Sequence, residues 1–375
     1  MKKAVCISCT HHYRERIEPV ERVLQEAGYD CSYITSDFHH VNKAPHKVDM
    51  PHCIQLPTLP YRKNLSVQRI LSHLRFAQAA MKAVEDLQPE LLYVEVPPNA
   101  LCRAAARYKK KHPETTVILD VFDMWPETFP GGKIKKLLAP VFKVWGSLRD
   151  CNLDKADFVV TECDMFRQKL RLAENSRTIW LCAAPLALEK PQPQLSDDRL
   201  ELCYLGAINN VISIPDICGL IQTLTAKKPV VLHIIGKGER QEEFIEEAKK
   251  AGAEVIFHGP IYEDEKKLEI MNRCHFGLNV MKSSVFVGLT MKSVEYFRFG
   301  LPIINNIPGD TKQLVLERGI GVQLEEGCAE TLLHFSNDDC LQLRHQVEAV
   351  FDEQFKKSVI QTQYHDVLAS CCNRK

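Results

Sequence analysis

The segment 286–305 has the residue types needed to bind an anion where a helix begins. Thr290 is a favourable N-cap, so the sequence predicts a helix over Met291–Phe299, which Gly300 is placed to end. The N–H groups in the first turn of a helix have no acceptor within the helix, and the helix dipole favours negative charge beside them. A phosphate group is therefore expected on the backbone of Gly288, Leu289 and Thr290.

Two charged side chains lie within the same predicted helix. Lys292 places a positive charge in its first turn, and Glu295 follows one turn further in. The Glu295 carboxylate could accept hydrogen bonds from two neighbouring sugar hydroxyls, so the segment as a whole could hold a nucleotide sugar. The alternative is a solvent-exposed Lys292–Glu295 ion pair at i,i+3, which stabilises a helix by roughly 0.2–0.5 kcal/mol.

Two turns that contain glycine follow predicted strands in the same half of the chain. They come after Leu200–Leu205 and Val230–Ile235, and backbone N–H groups in such turns can approach a phosphate or a base. An ordinary turn between a strand and a helix is the alternative for both. The candidate donor-binding residues here are Gly206, Asn209, Gly236, Lys237 and Gly238, together with Lys282 at the end of a later strand.

A turn with two carboxylates follows the predicted strand Val117–Phe122 in the first half of the chain. Its sequence, from Asp120 to Glu127, is Asp-Val-Phe-Asp-Met-Trp-Pro-Glu. Ligands of parallel sheets lie at the carboxyl ends of strands, so Asp123 could bind hydroxyls near a reacting carbon and Glu127 could orient them. We predict catalytic roles for both. The alternative is a capped turn in which the tryptophan packs.

Three further polar residues are predicted to lie at the same edge of the first half. His12 and Arg16 follow the first predicted strand, and Asn99 follows the strand Leu91–Val94. Arg16 or His12 could meet a phosphate of the acceptor or the donor, and Asn99 could bind hydroxyls. For His12 and Arg16, a helix start with solvated charges is the alternative.

Two of these motifs resemble those of a known family. Thr290–Tyr296 with Gly300–Ile304 resembles the donor-binding segment of GT-B glycosyltransferases, closest to the family 4 retaining enzymes that build bacterial surface polysaccharides. Asp120–Glu127 resembles the Asp-x-Trp-Pro-Glu turn of the same enzymes. The resemblance implies that Glu295 binds the nucleotide ribose and that the backbone from Gly288 to Thr290 holds the diphosphate.

The chain departs from the family pattern at two places. Many members carry a second Glu, against the donor sugar, where this chain has Val287. Members usually carry an Arg and a Lys just beyond the turn that here contains Asn209 and Asn210. Lys282 or Lys292 could supply the missing positive charge at the donor phosphates.

Length and composition favour a globular protein with two domains. The chain has 375 residues, 45% hydrophobic and 26% charged, with a formal net charge of zero, so no nucleic-acid partner is expected. No signal peptide or membrane span is predicted, which favours a cytoplasmic location and reduced cysteines. The amphipathic, basic segment 133–145 could contact the inner face of a membrane, or could pack as an ordinary helix.

Strands and helices alternate in both halves, which predicts an α/β fold of two Rossmann-like doubly wound domains facing a central cleft, the GT-B architecture. The predicted divisions are an acceptor domain over 1–182, a linker over 183–198, a nucleotide-sugar domain over 199–350, and a C-terminal helix in 351–375 that crosses back to the first domain. The region His39–Pro60 is predicted to be irregular.

The function that the resemblance implies is a retaining hexosyltransferase. It would move a hexose from a nucleotide sugar, UDP-linked by preference, to a saccharide or lipid-linked saccharide acceptor in surface polysaccharide synthesis. No cofactor and no metal are expected, because no Asp-x-Asp motif is present. The alternatives are an inactive GT-B-like subunit that binds a partner glycosyltransferase, favoured by Val287 and Asn209-Asn210, and a UDP-sugar epimerase.

Overall fold

The computed structural model describes residues 2–128 and 137–372. The chain divides into two compact units. Unit 1 comprises Met1–Cys182 and Lys357–Lys375, and unit 2 comprises Ala183–Lys356.

Unit 1 is built on a parallel sheet of seven strands in the order β5-β2-β1-β6-β7-β8-β9. Its strands are rich in β-branched and aliphatic residues and are mostly buried, as expected for a sheet covered on both faces. Strands β3 and β4 form a separate antiparallel ribbon. The strands are β1 Lys2–Ile7, β2 Tyr29–Ser36, β3 Phe38–His39, β4 Ala44–Pro45, β5 Cys53–Leu56, β6 Leu91–Val96, β7 Thr116–Val121, β8 Phe158–Thr161 and β9 Ser176–Thr178.

Helices complete unit 1. The first and last of them share one apolar core with the sheet, and the second and third pack against β1, β5, β6 and β7. Ser66 caps the second helix by accepting a hydrogen bond from the Arg69 N–H, as the sequence predicts. The helices are α1 Arg14–Glu26, α2 Val67–Leu87, α3 Asn99–Lys111, α4 Ala139–Asp150, α5 Asp164–Leu170 and, at the end of the chain, α13 Lys357–Cys372.

Unit 2 repeats the plan with a six-stranded parallel sheet in the order β12-β11-β10-β13-β14-β15. Its strands are β10 Leu200–Leu205, β11 Val230–Ile235, β12 Glu254–Gly259, β13 Phe276–Asn279, β14 Ile303–Asn305 and β15 Gly321–Gln323. Its helices are α6 Ile214–Thr225, α7 Gln241–Lys250, α8 Asp264–Met271, α9 Met291–Arg298, α10 Asp310–Arg318, α11 Cys328–His334 and α12 Asn337–Gln354. Strands β10 and β11 have the predicted bounds.

Three segments differ from what the sequence predicts. The region His39–Pro60 is not irregular throughout, because Cys53–Leu56 joins the main sheet of unit 1 as an edge strand. The predicted linker packs on unit 2, where the N–H of Gln194 donates to the carbonyl of Asn272. The predicted C-terminal helix begins later than position 351, because α12 extends to Gln354 and α13 starts at Lys357; α13 belongs to unit 1, as predicted.

Within the described residues, none of the helices has both the length and the apolar character that crossing a membrane requires.

Candidate functional site

In each sheet, the strand order reverses direction at one point. In unit 1 the reversal lies between β1 and β6, and in unit 2 it lies between β10 and β13. Ligands of open α/β sheets bind beyond the carboxyl ends of the strands at such a point, because the connections on its two sides leave in opposite directions. A ligand-binding residue is therefore expected to lie near one of these two edges.

The helix start predicted in unit 2 lies at its reversal point. Helix α9 begins after Thr290, whose hydroxyl accepts a hydrogen bond from the Ser293 N–H at 3.0 Å and donates one to the Asn279 side chain at 2.9 Å. Asn279 is the last residue of β13, so this bond fixes the helix start to the strand. The Ser293 hydroxyl in turn accepts from the Thr290 N–H, which completes a capping box.

The two residues before the cap are buried as well. Gly288 and Leu289 are buried, and the Gly288 carbonyl accepts hydrogen bonds from the N–H and the hydroxyl of Thr311, at 2.8 and 2.7 Å. The loop is thus held from α10. The capping box occupies one of the amides predicted to face a phosphate, that of Thr290, together with the amide of Ser293. The amides of Met291 and Lys292 have no acceptor within α9.

Lys292 is the most unusual side chain at this edge. Its Nζ is buried without a hydrogen-bond partner among the described residues, and it lies 3.9 Å from the centre of the Tyr204 ring. Burial lowers the pKa of Lys292 to about 7. The Lys292–Glu295 ion pair, the alternative to a ligand site, does not form. An ammonium that is buried beside a helix start, with no counter-ion, is arranged to receive an anion.

The glycines of the two turns have a packing role. A Cβ on Gly236 would lie 2.0 Å from the carbonyl oxygen of Gly206, and a Cβ on Gly238 would lie 2.1 Å from that of Ile208. The turns after β10 and β11 therefore touch backbone to backbone. The Gly206 and Gly236 amides donate to other carbonyls, so the glycines allow this contact rather than offering those two amides to a ligand.

The remaining predicted residues of these turns differ in their roles. Lys237 is exposed, and the Asn209 side chain accepts a hydrogen bond from the Val211 N–H at 3.0 Å, which closes its own turn. The backbone N–H of Lys282 donates to the Val211 carbonyl at 2.9 Å, so the strand-end loop that carries Lys282 is joined to the turn after β10.

Glu295 lies in a network of charged side chains. Its carboxylate accepts a hydrogen bond from Lys267 and lies 3.6 Å from Arg298. Both cations also pair with Asp264, Lys267 at 3.1 Å and Arg298 at 2.5 Å. The Glu295 side chain is 23% exposed, so solvent or a ligand can still reach it. A carboxylate can accept about four hydrogen bonds, so these partners orient Glu295 without using all of its acceptor sites.

In unit 1, the reversal point holds a cavity of about 200 Å³. Asp123 contributes to its wall and accepts a hydrogen bond from the Thr128 hydroxyl at 2.7 Å. Burial raises the pKa of Asp123 to about 6. The remaining wall comes from the turns after β1, β6 and β7, from His40, and from Arg69 and His73 of α2.

Glu127 does not line this cavity. Its carboxylate pairs with the fully buried guanidinium of Arg149, with N–O distances of 2.9 and 3.2 Å. Arg149 also donates to the Trp125 carbonyl at 3.2 Å, so the Glu127–Arg149 pair ties the end of the motif to α4. Glu127 therefore supports the turn that carries Asp123.

Arg16 and Asn99 are placed differently from what the sequence predicts. Arg16 is buried and donates two hydrogen bonds of 2.9 Å to Asp120, and its third nitrogen donates to the carbonyls of Ile179 and Trp180. Asn99 is fully buried and donates to the carbonyls of Trp125 and Trp145. Both side chains hold the fold of unit 1, because their donors are already used within the protein.

His12 remains exposed beside other imidazoles. Its ring centre lies 5.6 Å from that of His39, and His39 lies 5.4 Å from His46. Within the described part of the chain, no group of three or more His, Cys, Asp or Glu residues is arranged to hold a metal ion. Every cysteine whose side chain the structure describes is a free thiol.

Two residues of these sites are not among the predicted site residues. Arg69 lies near the start of α2, and Lys267 lies in the middle of α8. Solvated helix faces carry such residues routinely. Only their burial, at 4% and 8% exposed, distinguishes them.

Of the amphipathic segment 133–145, residues 133–136 lie outside the described residues. Three apolar side chains of the remainder are exposed, Leu137 at 80%, Val141 at 49% and Val144 at 68%. Trp145, expected at a membrane interface, is instead buried, with its ring centre 6.0 Å from that of Trp125.

Comparison with known proteins gives a domain family and a fold. Residues 199–338 match the family described as "Glycosyl transferases group 1". No curated protein sequence matches the chain.

Solved structures resemble the whole chain. The apo form of the lipopolysaccharide outer core galactosyltransferase WaaB has a TM-score of 0.68 at 14% identity, covering 99% of both chains. Alr3699/HepE of Anabaena, solved in complex with UDP, has a TM-score of 0.65 at 13% identity, covering 99% of this chain and 100% of that one. WaaG, a glycosyltransferase involved in lipopolysaccharide biosynthesis, has a TM-score of 0.61 at 11% identity, covering 97% and 99%.

The predicted GT-B fold, with two Rossmann-like domains, is confirmed by these structures. Residues 199–338 carry a group 1 glycosyltransferase domain, in agreement with the prediction of a hexosyltransferase.

Proposed function

We propose that this chain is a retaining hexosyltransferase of the family 4 type. It takes a hexose from a UDP-linked donor to a saccharide or lipid-linked saccharide acceptor in surface polysaccharide synthesis. The group 1 domain over 199–338 and the fold shared with HepE, which was solved with UDP, support this proposal.

The observation that carries the proposal is the buried Nζ of Lys292 without a partner at the reversal point of unit 2. Taking a charged ammonium out of water without a counter-ion is costly, and a protein keeps such a group where a ligand supplies the charge. A diphosphate beside the α9 N-terminus meets both Lys292 and the amides of the first turn. Lys292 thus supplies the positive charge that family members take from an Arg and a Lys just beyond the turn that here contains Asn209 and Asn210.

The other donor contacts follow from the same placement. Glu295, oriented by Lys267 and Arg298, accepts hydrogen bonds from the two ribose hydroxyls. The turns containing Gly206 and Gly236 form the wall beside the nucleotide, and Lys237 and Lys282 add positive charge near it.

The transfer needs no metal or cofactor in this proposal. The bond between the hexose anomeric carbon and the leaving diphosphate oxygen breaks, and a bond from that carbon to an acceptor hydroxyl oxygen forms on the same face. The hydroxyl proton passes to the leaving phosphate. Lys292 and the α9 amides stabilise the charge that develops on the diphosphate. Asp123 binds hydroxyls near the reacting carbon.

A lipid-linked acceptor would require contact with a membrane surface. The exposed side chains of Leu137, Val141 and Val144 lie on one face of α4 and of the residues just before it. They support a shallow contact of unit 1 with the inner face of the cytoplasmic membrane. Vesicle sedimentation of the wild type against Val141→Ser/Val144→Ser tests this contact. Equal sedimentation of the two proteins would contradict it.

The central test is calorimetric titration of the full chain with UDP, GDP and ADP. UDP is expected to bind, and Lys292→Met is expected to bind it about 10- to 100-fold more weakly, the range for a lost hydrogen bond between charged groups. Lys227→Met is the control, because Lys227 is exposed and precedes β11 at the opposite edge of the sheet. No binding of any nucleotide would overturn the proposal and favour the partner-subunit alternative.

UDP-hexoses should also be tested for turnover with a panel of saccharide acceptors. If UDP binds but no UDP-hexose is turned over, the proposed donor site stands and the proposed transferase activity is wrong. Turnover of the donor without an acceptor would favour the epimerase.

A further inference from the structure

The cavity of unit 1 contains a buried guanidinium that no carboxylate of the described residues pairs with. The other two buried arginines of this unit have such partners, Arg16 with Asp120 and Arg149 with Glu127. Arg69 is 4% exposed and has none within ion-pair distance. Burial lowers the pKa of Arg69, but an arginine stays protonated at neutral pH, so the cavity wall holds a positive charge that is not in an ion pair.

The partners that Arg69 does have are neutral. Its guanidinium donates to the Asn64 carbonyl at 3.1 Å and lies 3.4 Å from Nε2 of His73. It lies 4.4 Å from the centre of the Trp125 ring and 5.8 Å from that of Tyr61. These contacts orient the planar guanidinium and do not neutralise it.

Among the described residues, no titratable group that lines the cavity forms an ion pair with Arg69. Burial lowers the pKa of His40 to about 3 and that of His73 well below its usual range, so both imidazoles are neutral. Lys43, which does not line the cavity, lies 4.8 Å from the centre of the Tyr61 ring, and its pKa, lowered to about 8, still leaves it mostly charged at pH 7. Asp123 is the one carboxylate among the side chains that line the cavity.

We propose that this cavity binds an anionic sugar, with the phosphate or carboxylate of the sugar on Arg69 and a hydroxyl on Asp123. The cavity of about 200 Å³ has room for the anionic group and part of one ring. A planar guanidinium held by aromatic faces binds either anion through two parallel hydrogen bonds. This inference rests on the proposed function, because it gives the acceptor of that transfer a negative charge.

Calorimetric titration of the full chain with glucuronate and with glucose 6-phosphate tests the proposal, with glucose as the neutral control. At least one anionic sugar is expected to bind at least tenfold more tightly than glucose. A response to glucuronate alone assigns a carboxylate, and a response to glucose 6-phosphate alone assigns a phosphate. Equal binding of all three sugars, or no binding, would overturn the proposal.

A matched pair of substitutions on α2 protects the test from a folding defect. Arg69→Met is expected to weaken binding of the anionic sugar about 10- to 100-fold, whereas Arg75→Met, an exposed arginine on the same helix, leaves it unchanged. If Arg69→Met bound the anionic sugar as tightly as wild type, the site would be rejected.

UDP binding, measured on the same samples, reports on the folding of unit 2 and separates the two proposals. If wild type binds UDP and no anionic sugar, only this inference fails. If it binds an anionic sugar and no nucleotide, the transferase fails and the cavity remains an anionic-sugar site.

Discussion

The reversal points of the two sheets are built in different ways. In unit 2, backbone turns and a helix start converge within short stretches that directly follow strands, and one buried lysine without a partner lies among them. In unit 1, the wall is assembled from side chains of turns and of α2, more than 50 residues apart in the sequence, around a buried arginine.

Buried charges at the two reversal points also differ: some are neutralised within the protein, and others are available for a ligand. Arg16 and Lys292 both lie beside the carboxyl edge of a parallel sheet, yet Arg16 has a bidentate carboxylate partner and Lys292 has no partner. The first charge is neutralised within the protein. The second has no counter-ion among the described residues and is available to the anion that we propose. Arg69 resembles Lys292, because it too lacks a carboxylate partner.

The largest expected effect concerns the contact between the two glycine turns of unit 2. In Gly236→Ala the new Cβ would meet the Gly206 carbonyl oxygen at 2.0 Å, at a φ of +146°. We expect a loss of about 3–5 kcal/mol in the free energy of unfolding, from strain and overpacking together, and loss of UDP binding. Urea denaturation is the measurement. Gly219→Ala, where a Cβ meets nothing within 4 Å, is the control and should be neutral or stabilising.

Removal of a paired cation should cost more stability than removal of an unpaired one. Arg16→Leu leaves Asp120 buried without its cation, with an expected loss of about 3–5 kcal/mol. Arg69→Met leaves no buried carboxylate without a partner, so its loss should be clearly smaller. Urea midpoints of both variants measure this. Equal losses would mean that Arg69, like Arg16, serves to stabilise the fold.

Lys292→Met should separate stability from binding. The substitution removes a buried charge that has no partner, so the free energy of unfolding should stay the same or rise. UDP affinity should fall about 10- to 100-fold. Urea denaturation and calorimetry on the same preparation are the measurements. A stability loss comparable to that of Arg16→Leu would mean that Lys292 has a counter-ion within the protein.

The low pKa of Lys292 predicts a pH dependence of known sign. Its folded-state pKa of about 7 lies below that of an unfolded lysine, so between about pH 7 and 10 the unfolded chain binds more protons. The free energy of unfolding of wild type should therefore rise from pH 7 to 9, relative to Lys292→Met, by about 2 kcal/mol.

UDP affinity should change in the opposite direction over the same interval, because binding of the diphosphate requires the charged amine. Wild type should lose roughly tenfold in affinity for each pH unit above 7. Lys292→Arg, which stays charged, should lose this dependence. A flat profile in wild type would place the diphosphate away from Lys292.

The smallest expected effect is at Glu295. Glu295→Gln should weaken UDP binding about fivefold, because an amide accepts weaker hydrogen bonds from hydroxyls than a carboxylate does. The loss should shrink for 2′-deoxy-UDP, which has one ribose hydroxyl fewer. Glu265→Gln, exposed on α8, is the control. An equal loss for both nucleotides would assign Glu295 to the Lys267–Arg298 network alone.

Local sequence signals were sufficient for much of unit 2. Strand β10, strand β11, the Thr290 cap and the end of α9 near Gly300 all depend on neighbouring residues, on apolar runs and on capping chemistry, and these were predicted. The sequence could not show that Gly236 and Gly238 serve a contact between two turns, because that contact joins residues 30 positions apart.

Long-range pairing decided the roles of charged residues. Nothing near Arg16 in the sequence indicates Asp120, which lies 104 positions away, and nothing near Glu295 indicates Lys267. The edge strand Cys53–Leu56 was missed for the same reason: its place depends on pairing with β2 and not on a pattern of its own.

The sequence by itself determined the two alternating α/β halves, the strand ends that carry the candidate loops, and the helix start at Thr290. These features follow from interactions between residues close in the chain. Only the tertiary structure decided which charges are neutralised and which are left for a ligand, because burial and ion pairing depend on which distant elements pack together. Arg16, Arg69 and Lys292 are alike as basic residues in the sequence, and they differ only in what the fold places beside them.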